Sequence, residues 1–494
     1  MYSIGYDIGS SSIKAAIVDL NSGKTMGIVT HPEVEMGMTA TQEGWAEQHP
    51  DQWWEAICIA TQNLLAQSNI PPSEIKSIGI AYQMHGLVVV DKNYKPLRPS
   101  IIWCDSRAVD IGNQAADALG TEYCQEHLLN SPGNFTASKL RWIKENEPEV
   151  YSRIHKAMLP GDYIAMKLTG KIQTTVSGLS EGIFWDFKEH KLADKVLNNY
   201  GIAADLLPEI VETFANHGQV TQSAAEQTGL IAGTNVSYRA GDQPNNALAL
   251  NVLNPGEIAA TGGTSGVVYG ISDQANADVQ SRVNGFAHVN HSKSAPRVAQ
   301  LLCINGAGSQ YAWIRKQLSK ENTSYVDMEK QLSEISVGSE GLRILPFGNG
   351  AERMLNNKQI GAQYNNVQFN KHSNVHFYRA ALEGIAFAFI YGIKILEGVG
   401  IKPETIRVGN DNLFQSATFS KTVASLAGCN IEMIETTGAV GAAKASGYGM
   451  GYYKSINEAV SDTNTVKTYT PHTNKNEYVH AYKIWEHDLT RLLG

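Results

Sequence analysis

Apolar residues open the chain in short runs: "SIGYDIG", "SIKAAIVDL" and "TMGIVTH". Each run is β-rich. "GSS" and "NSGK", which join them, have turn composition, so the pattern predicts an antiparallel meander. The period then changes. In "PDQWWEAICIATQNLLAQ", Trp53, Trp54, Ile57, Cys58, Leu64 and Leu65 recur at helical spacing, and Pro50 and Asp51 suit a helix start. "IKSIGIAY" reads as a buried strand. "ASKLRWIKENEPEVYSRI" predicts a helix broken near Pro148, and "NVHFYRAALEGIAFAFIYGIKIL" a helix entered through His372 and Ser373. "NEYVHAYKIWEHDLTRLLG" predicts an amphipathic helix. Strands and helices alternate throughout, which implies mixed α/β layers.

One pattern occurs twice. "IGYDIGSSSIKAAIVD" is strand, small-residue turn, strand, and "IAATGGTSGVVYGIS" repeats it about half the chain later. Asn254-Pro255-Gly256, just before the second copy, reads as a turn at a boundary. The expected domains are residues 1–247 and 248–494, each supplying one turn rich in glycine and hydroxyls.

Composition narrows the partners. The chain has 494 residues, 43% of them hydrophobic, enough for two or three domains. Lys plus Arg number 40 and Asp plus Glu 48, a net charge of −8, which argues against nucleic acid or an anionic membrane as partner. No apolar run reaches membrane-spanning length. "MYSIGYDIG" lacks the basic-then-apolar order of a secretory leader, so the expected location is cytoplasmic. Cys58, Cys104, Cys124, Cys303 and Cys429 are scattered and odd in number, which fits reduced thiols. His288 with His291, and His372 with His376, lack the further ligands a zinc site needs.

The two turns carry the chemistry. Small residues at Gly9, Ser10, Ser11 and Ser12, and again at Gly263, Thr264 and Ser265, let backbone N–H groups approach a polyanion. If the halves face one another, the turns clamp a triphosphate from two sides. The GxxxxGK[ST] loop is absent, because Val18 stands where "SGKT" would need its first glycine. Asp7, two residues before Gly9, suits Mg²⁺ held through water, or merely caps its own turn. Lys14 either offsets phosphate charge or is a solvated surface lysine. Asp242, in "AGDQPNN", suits a general base for an alcohol in phosphoryl transfer, though position alone fits a loop aspartate equally.

The ordered set "DIGSSS", "GWAEQHPDQWWEAI", "IGIAYQMHGLVVVD", "LRPSIIWCDSRA", "GNFTASKLRW", "LPGDYIAMKLTG", "AGDQ" and "GGTSG" resembles the FGGY carbohydrate kinases from Met1 to about Gly451. "QMHG" and "EQHPDQWW" are most similar to the branch that phosphorylates xylulose. The resemblance implies two ribonuclease H-like (actin-like ATPase) domains with an interdomain cleft, the first binding sugar and the second ATP. It implies that Asp242 is the catalytic base and that Gln83, Met84 and His85 line the ketose site, with Gln243 adjoining. It also puts Trp103, Asp105 and Arg107 near the sugar, where the alternative is a buried tryptophan beside an Asp–Arg ion pair.

Three departures qualify this. The family's "GGGA(K/R)S", set against adenine, is replaced by Gly409, Asn410, Asp411 and Asn412. Asn and Asp tolerate left-handed turns, so the turn is expected to survive, with side chains that crowd or newly contact the base. Gln243 stands where asparagine is usual, and Tyr82 where a smaller residue is common. The expected activity is ATP- and Mg²⁺-dependent phosphorylation of D-xylulose at its 5-hydroxyl, with domain closure excluding water, in a monomer or homodimer. A kinase for ribulose or a polyol, a sugar sensor without catalysis, and an actin- or chaperone-like ATPase are the alternatives.

Overall fold

The computed structural model describes residues 1–461 and 464–494. The chain forms two compact units. The first comprises Met1–Leu253, Gly285–Val298 and a stretch beginning at Thr436. The second comprises Asn254–Asn284, Ala299–Glu435 and Asn464–Gly494.

The first unit is built on a six-stranded sheet in the order Phe214–Gln219, Asn235–Gly241, Ile75–Tyr82, Tyr2–Ile8, Ile13–Asp19, Thr25–His31. The strand Tyr2–Ile8 runs antiparallel to Ile13–Asp19 and parallel to Ile75–Tyr82. Both faces of the inner strands are covered, which explains their near-continuous apolar runs. Along Ile13–Asp19 the side chains sort by the two-residue period of a strand. Ile13, Ala15 and Ile17 join the cluster that holds Trp53 and Ile57 of the helix Pro50–Ser68. Ala16 and Val18 join Ala439, Val440 and Ala443 of the helix Gly438–Gly449. Full burial of a side chain such as Ile57 contributes about 2 kcal/mol.

The helix Gly438–Gly449 lies on the sheet almost backbone to backbone. A Cβ on Gly5 would stand 1.9 Å from the Ala439 carbonyl oxygen, and one on Gly79 2.0 Å from that of Ala442. At the far end, a Cβ on Gly449 would stand 2.1 Å from the Ser237 carbonyl oxygen. Residues 447–453, "GYGMGYY", hold the end of this helix and its contact with Ser237.

The second unit repeats the plan. Val298–Ile304, Gly266–Ser272, Glu257–Gly262, Thr405–Gly409, Asn430–Glu435 and Asn464–Tyr469 are successive neighbours in its sheet. Glu257–Gly262 is antiparallel to Gly266–Ser272 and parallel to Thr405–Gly409, as Tyr2–Ile8 is to its own neighbours. The helix Asn374–Gly398 runs through this core, capped by Ser373 with His376. The helix Asn476–Leu493 packs Trp485 and Leu489 into the same core, and Trp485 Nε1 donates to the Ile344 carbonyl at 2.8 Å. Among the described residues no helix is long and apolar enough to cross a membrane.

Gly79→Ala is expected to force the helix off the sheet and lower stability by about 3 kcal/mol or more. Gly398→Ala, with open space around it, is the matched control and should be neutral. Thermal melting of the two variants checks the contrast.

Candidate active site

In the first unit, Asp7 is the penultimate residue of its strand, paired in register with Lys14. The turn after it is tied back to the body of the unit. Gly9 N donates to the Ser12 carbonyl at 3.1 Å, Gln48 Nε2 to the Ser10 carbonyl at 2.7 Å, and Met36 N to the Ser11 carbonyl at 2.8 Å. Ser11 and Lys14 are exposed. Asp7 faces the start of the helix Gly438–Gly449. A Cβ on Gly438 would stand 2.6 Å from Asp7 Oδ2 and 2.8 Å from Asn246 Oδ1, so only glycine fits. Burial raises the Asp7 carboxyl above its ordinary range, and Lys14 partly opposes this.

Asp242 begins the helix Asp242–Ala249 directly after the strand Asn235–Gly241. It keeps partial exposure, and dense surroundings with the neighbouring Asp7 charge raise its carboxyl to about 7. Gln243 hydrogen-bonds this carboxyl and lowers it in part. Asp242 therefore senses the charge of Asp7, although the two lie 235 positions apart in the chain.

The loop Gln83–His85 leaves the strand Ile75–Tyr82 beside these acids, and Gln83 N donates to the Ile8 carbonyl at 2.8 Å. Gln83 is 3% exposed, yet neither polar atom of its amide has a hydrogen-bond partner among the described residues. A buried amide in that state is poised for a ligand's hydroxyls. Met84 is buried against Gly241, where a Cβ would meet its Cγ at 2.6 Å. His85 has φ of 60°, a left-handed conformation that costs a histidine energy. Its Nδ1 lies 3.0 Å from the Glu181 carbonyl. A carbonyl only accepts, so Nδ1 carries a proton.

Trp103 is 53% exposed, with Nε1 3.4 Å from Ser10 Oγ. Asp105 and Arg107 sit differently. Their side chains have no exposed surface and pair at 2.6 Å. The Arg107 guanidinium also lies 3.8 Å from the centre of the Trp45 ring and pairs with Glu47 at 2.7 Å. These two residues hold the Trp103 loop from inside rather than presenting a surface to a sugar. Tyr82 is likewise buried, its ring packed on Gly161.

Sequence patterns gave no reason to single out Glu181, at the end of the helix Val176–Glu181. It is 1% exposed, neither carboxyl oxygen makes a hydrogen bond within normal limits, and a Cβ on Gly241 would stand 2.8 Å from Oε2. Burial holds its carboxyl well above the ordinary range; the Tyr82 hydroxyl opposes this and Asp242 adds to it.

In the second unit, the turn Gly263–Ser265 is fastened to the helix Ala307–Leu318: Gly308 N donates to the Gly263 carbonyl and Ser309 N to the Thr264 carbonyl, both at 3.0 Å. The turn borders a cavity of about 750 Å³ whose walls include Gly263, Thr264, Tyr311, Tyr325, Leu413 and Asn412. Tyr311 and Tyr325 stack at 5.4 Å. Asn412 adopts φ of 52°, so an asparagine does make the left-handed turn. Gly409, Asn410 and Ser265 are not among the residues lining the cavity. Asn410 turns to Glu435, with Nδ2 donating to Oε2 at 2.7 Å. Of the side chains that replace the glycine-rich turn, Asn412 alone meets the cavity. Among the described residues no cluster of three or more His, Cys, Asp or Glu forms a metal centre.

The family model described as "FGGY family of carbohydrate kinases, N-terminal domain" matches residues 2–249, and that of the C-terminal domain matches 258–450. A xylulose kinase of Bacillus subtilis is 27% identical over 92% of this chain and 90% of its own. A probable L-xylulose kinase of Haemophilus influenzae is 28% identical over 90% and 89%. The crystal structure of a xylulose kinase from Rhodospirillum rubrum superposes with a TM-score of 0.90 at 25% identity, covering 100% of this chain and 99% of that one.

Asp7→Asn is expected to lower the pH at which Asp242 titrates, because a neighbouring negative charge is removed. Carbon-13 NMR of labelled aspartates reads the midpoint, which should lie near 7 in the parent and below it in the variant. An unchanged midpoint removes the coupling.

Proposed function

The chain belongs to the FGGY family of carbohydrate kinases, and from that premise we propose that it transfers the γ-phosphoryl group of ATP to the 5-hydroxyl of D-xylulose. The observation that carries this reading is the buried, unpartnered amide of Gln83 beside the coupled acids Asp7 and Asp242. Kinase relatives named for xylulose, aligned over most of both chains, support the choice of sugar.

Gln83 meets the ketose hydroxyls through its amide, Met84 supplies an apolar wall, and His85 hydrogen-bonds a hydroxyl. Trp103, exposed and with Nε1 3.4 Å from Ser10 Oγ, stands beside the first turn. As the sugar oxygen attacks phosphorus, its proton passes to Asp242 and ADP departs. A carboxyl near 7 suits this task, since at neutral pH a large share is ionised while it remains a competent acceptor. ATP binds through the Gly263–Thr264 turn and the adjoining cavity of the second unit, and in the first unit the exposed Ser11 and Lys14 offer a hydroxyl and a cation to phosphate. The buried carboxyl of Asp7 would hold Mg²⁺ through water, and the ion, when bound, would offset charge on the β- and γ-phosphates. Asp105 and Arg107 act through the Trp103 loop.

One observation favours a second reading confined to stereochemistry: the Haemophilus influenzae relative is a probable L-xylulose kinase at closely similar identity. Coupled ADP-release assays with D-xylulose, L-xylulose, D-ribulose, pentitols and aldonates separate the readings. D-Xylulose should give the highest kcat/KM, and no turnover with any of them would end the kinase reading.

Asp242→Asn should lower kcat by about a thousandfold or more while leaving ketose affinity within a few fold. In the parent, kcat/KM should fall as pH drops through about 7, because the protonated carboxyl no longer accepts a proton.

A further inference from the structure

We propose that the segment Asn134–Lys139 is a brace that sets the loops of the ketose site, with Lys139 as its positioning residue. The proposal rests on the ketose-kinase reading above for what the loops bind, but the brace itself is a matter of geometry. This segment is the core of "GNFTASKLRW", for which the reaction described so far gives no role.

Lys139 lies on the helix Thr136–Asn146 and has no exposed surface. Its Nζ donates to the His85 carbonyl at 2.9 Å and to the Ile102 carbonyl at 2.9 Å. Those two carbonyls belong to separate loops: one carries Gln83, Met84 and His85, and the other leads into Trp103. A single amine therefore fixes the spacing of the two. The rest of the segment reinforces it. Asn134 Nδ2 donates to the Asp105 carbonyl, beyond Trp103. Phe135 packs edge-on against the His85 ring at 4.8 Å, and Thr136 Oγ1 lies 3.5 Å from the Gly86 carbonyl. Ala137 N donates to the Gly182 carbonyl at 3.0 Å, next to Glu181. Four successive positions and Lys139 thus grip three loops around the same site.

His85 needs such a grip. Its left-handed backbone costs energy, and relaxation to an ordinary conformation would swing the ring away from the Glu181 carbonyl. Lys139 holds the peptide that follows its Cα. Burial lowers the Lys139 ammonium to about 7, with Asp105 pulling it back up. A neutral amine still carries two N–H bonds, one for each carbonyl, so the tie does not depend on the charge. No step of phosphoryl transfer passes through Lys139, which acts only through the loops.

The test uses Lys139→Met, which keeps the chain length and removes every donor, and Lys139→Arg, which restores donors. Lys139→Met should raise the ketose KM by about tenfold or more, since a displacement of about 1 Å in a substrate-positioning group has effects of up to a hundredfold. Calorimetric ATP affinity without sugar should stay within about twofold, and Lys139→Arg should recover much of the loss. Hydrogen exchange should quicken together at residues 83–87 and 102–107 in the methionine variant, and not in the helix Pro50–Ser68. An unchanged ketose KM, an equal loss of ketose and ATP binding, or quickening in one loop only would overturn the brace. Should Lys139→Met fail to fold, Asn134→Ala cuts the tie at the Asp105 end, and a ketose KM raised several fold with ATP affinity intact is expected; an unchanged KM counts against the proposal. If the parent phosphorylates none of the sugars, the kinase reading falls, and hydrogen exchange alone decides the brace.

Discussion

The first unit's chemistry depends on how closely one helix can approach one sheet. The helix Gly438–Gly449 sits where Gly5 and Gly79 carry only hydrogen, and any side chain there would collide with its backbone. That approach delivers Gly438 to the carboxyl of Asp7. Asp7 then faces a helix N-terminus, whose partial positive charge favours an anion and offsets part of the desolvation that burial imposes. Asn245 Nδ2, one turn into the helix that starts at Asp242, donates to the Gly438 carbonyl at 2.9 Å. One close contact thereby places both acids. Lifting the helix by the width of a methyl group would change the surroundings of Asp7 and of Asp242 together.

Much of this was legible in the sequence because it rests on local pattern. The meander, the helix from Pro50, the strand Ile75–Tyr82 and the break at Pro148 each follow from period, capping or proline chemistry over a few residues. The two small-residue turns were visible because a turn without side-chain volume is unusual between apolar strands. The association of the helix Gly438–Gly449 with the first unit was not visible. It depends on which glycines face which helix across hundreds of residues, and a run of Gly and Ala looks the same whether it packs or not.

The site residues divide along the same line. Asp7, Gln83, Met84, His85 and Asp242 belong to stretches that resemble a family, and the structure gathers them in the first unit. Asp105 and Arg107 belong to such a stretch too, but sequence cannot distinguish a side chain that meets a ligand from one that supports the loop. Their enclosure by Trp45, Glu47 and Ala46 decides this. Asn410 and Asn412, two positions apart and alike in type, part ways because Glu435 captures the first and the left-handed turn directs the second to the cavity. Lys139 lies in such a stretch as well, but its burial is not legible there, since a lysine on a helix is ordinarily solvated.

Glu181 shows why two neighbouring carboxyls need not share a role. Its enclosure and the absence of a strong hydrogen-bond partner leave ionisation uncompensated, so the neutral acid is the favoured form. Asp242 differs in three respects: it opens a helix, it receives hydrogen bonds from Gln243, and part of its surface is accessible. Each of these favours the carboxylate. Were Glu181 ionised, its charge would add to that of Asp7 and drive Asp242 towards the protonated form, which cannot accept a proton from an alcohol. Burial of one acid therefore protects the basicity of the other, and environment rather than residue type separates the carboxyl that can act as a base from the one that packs behind it.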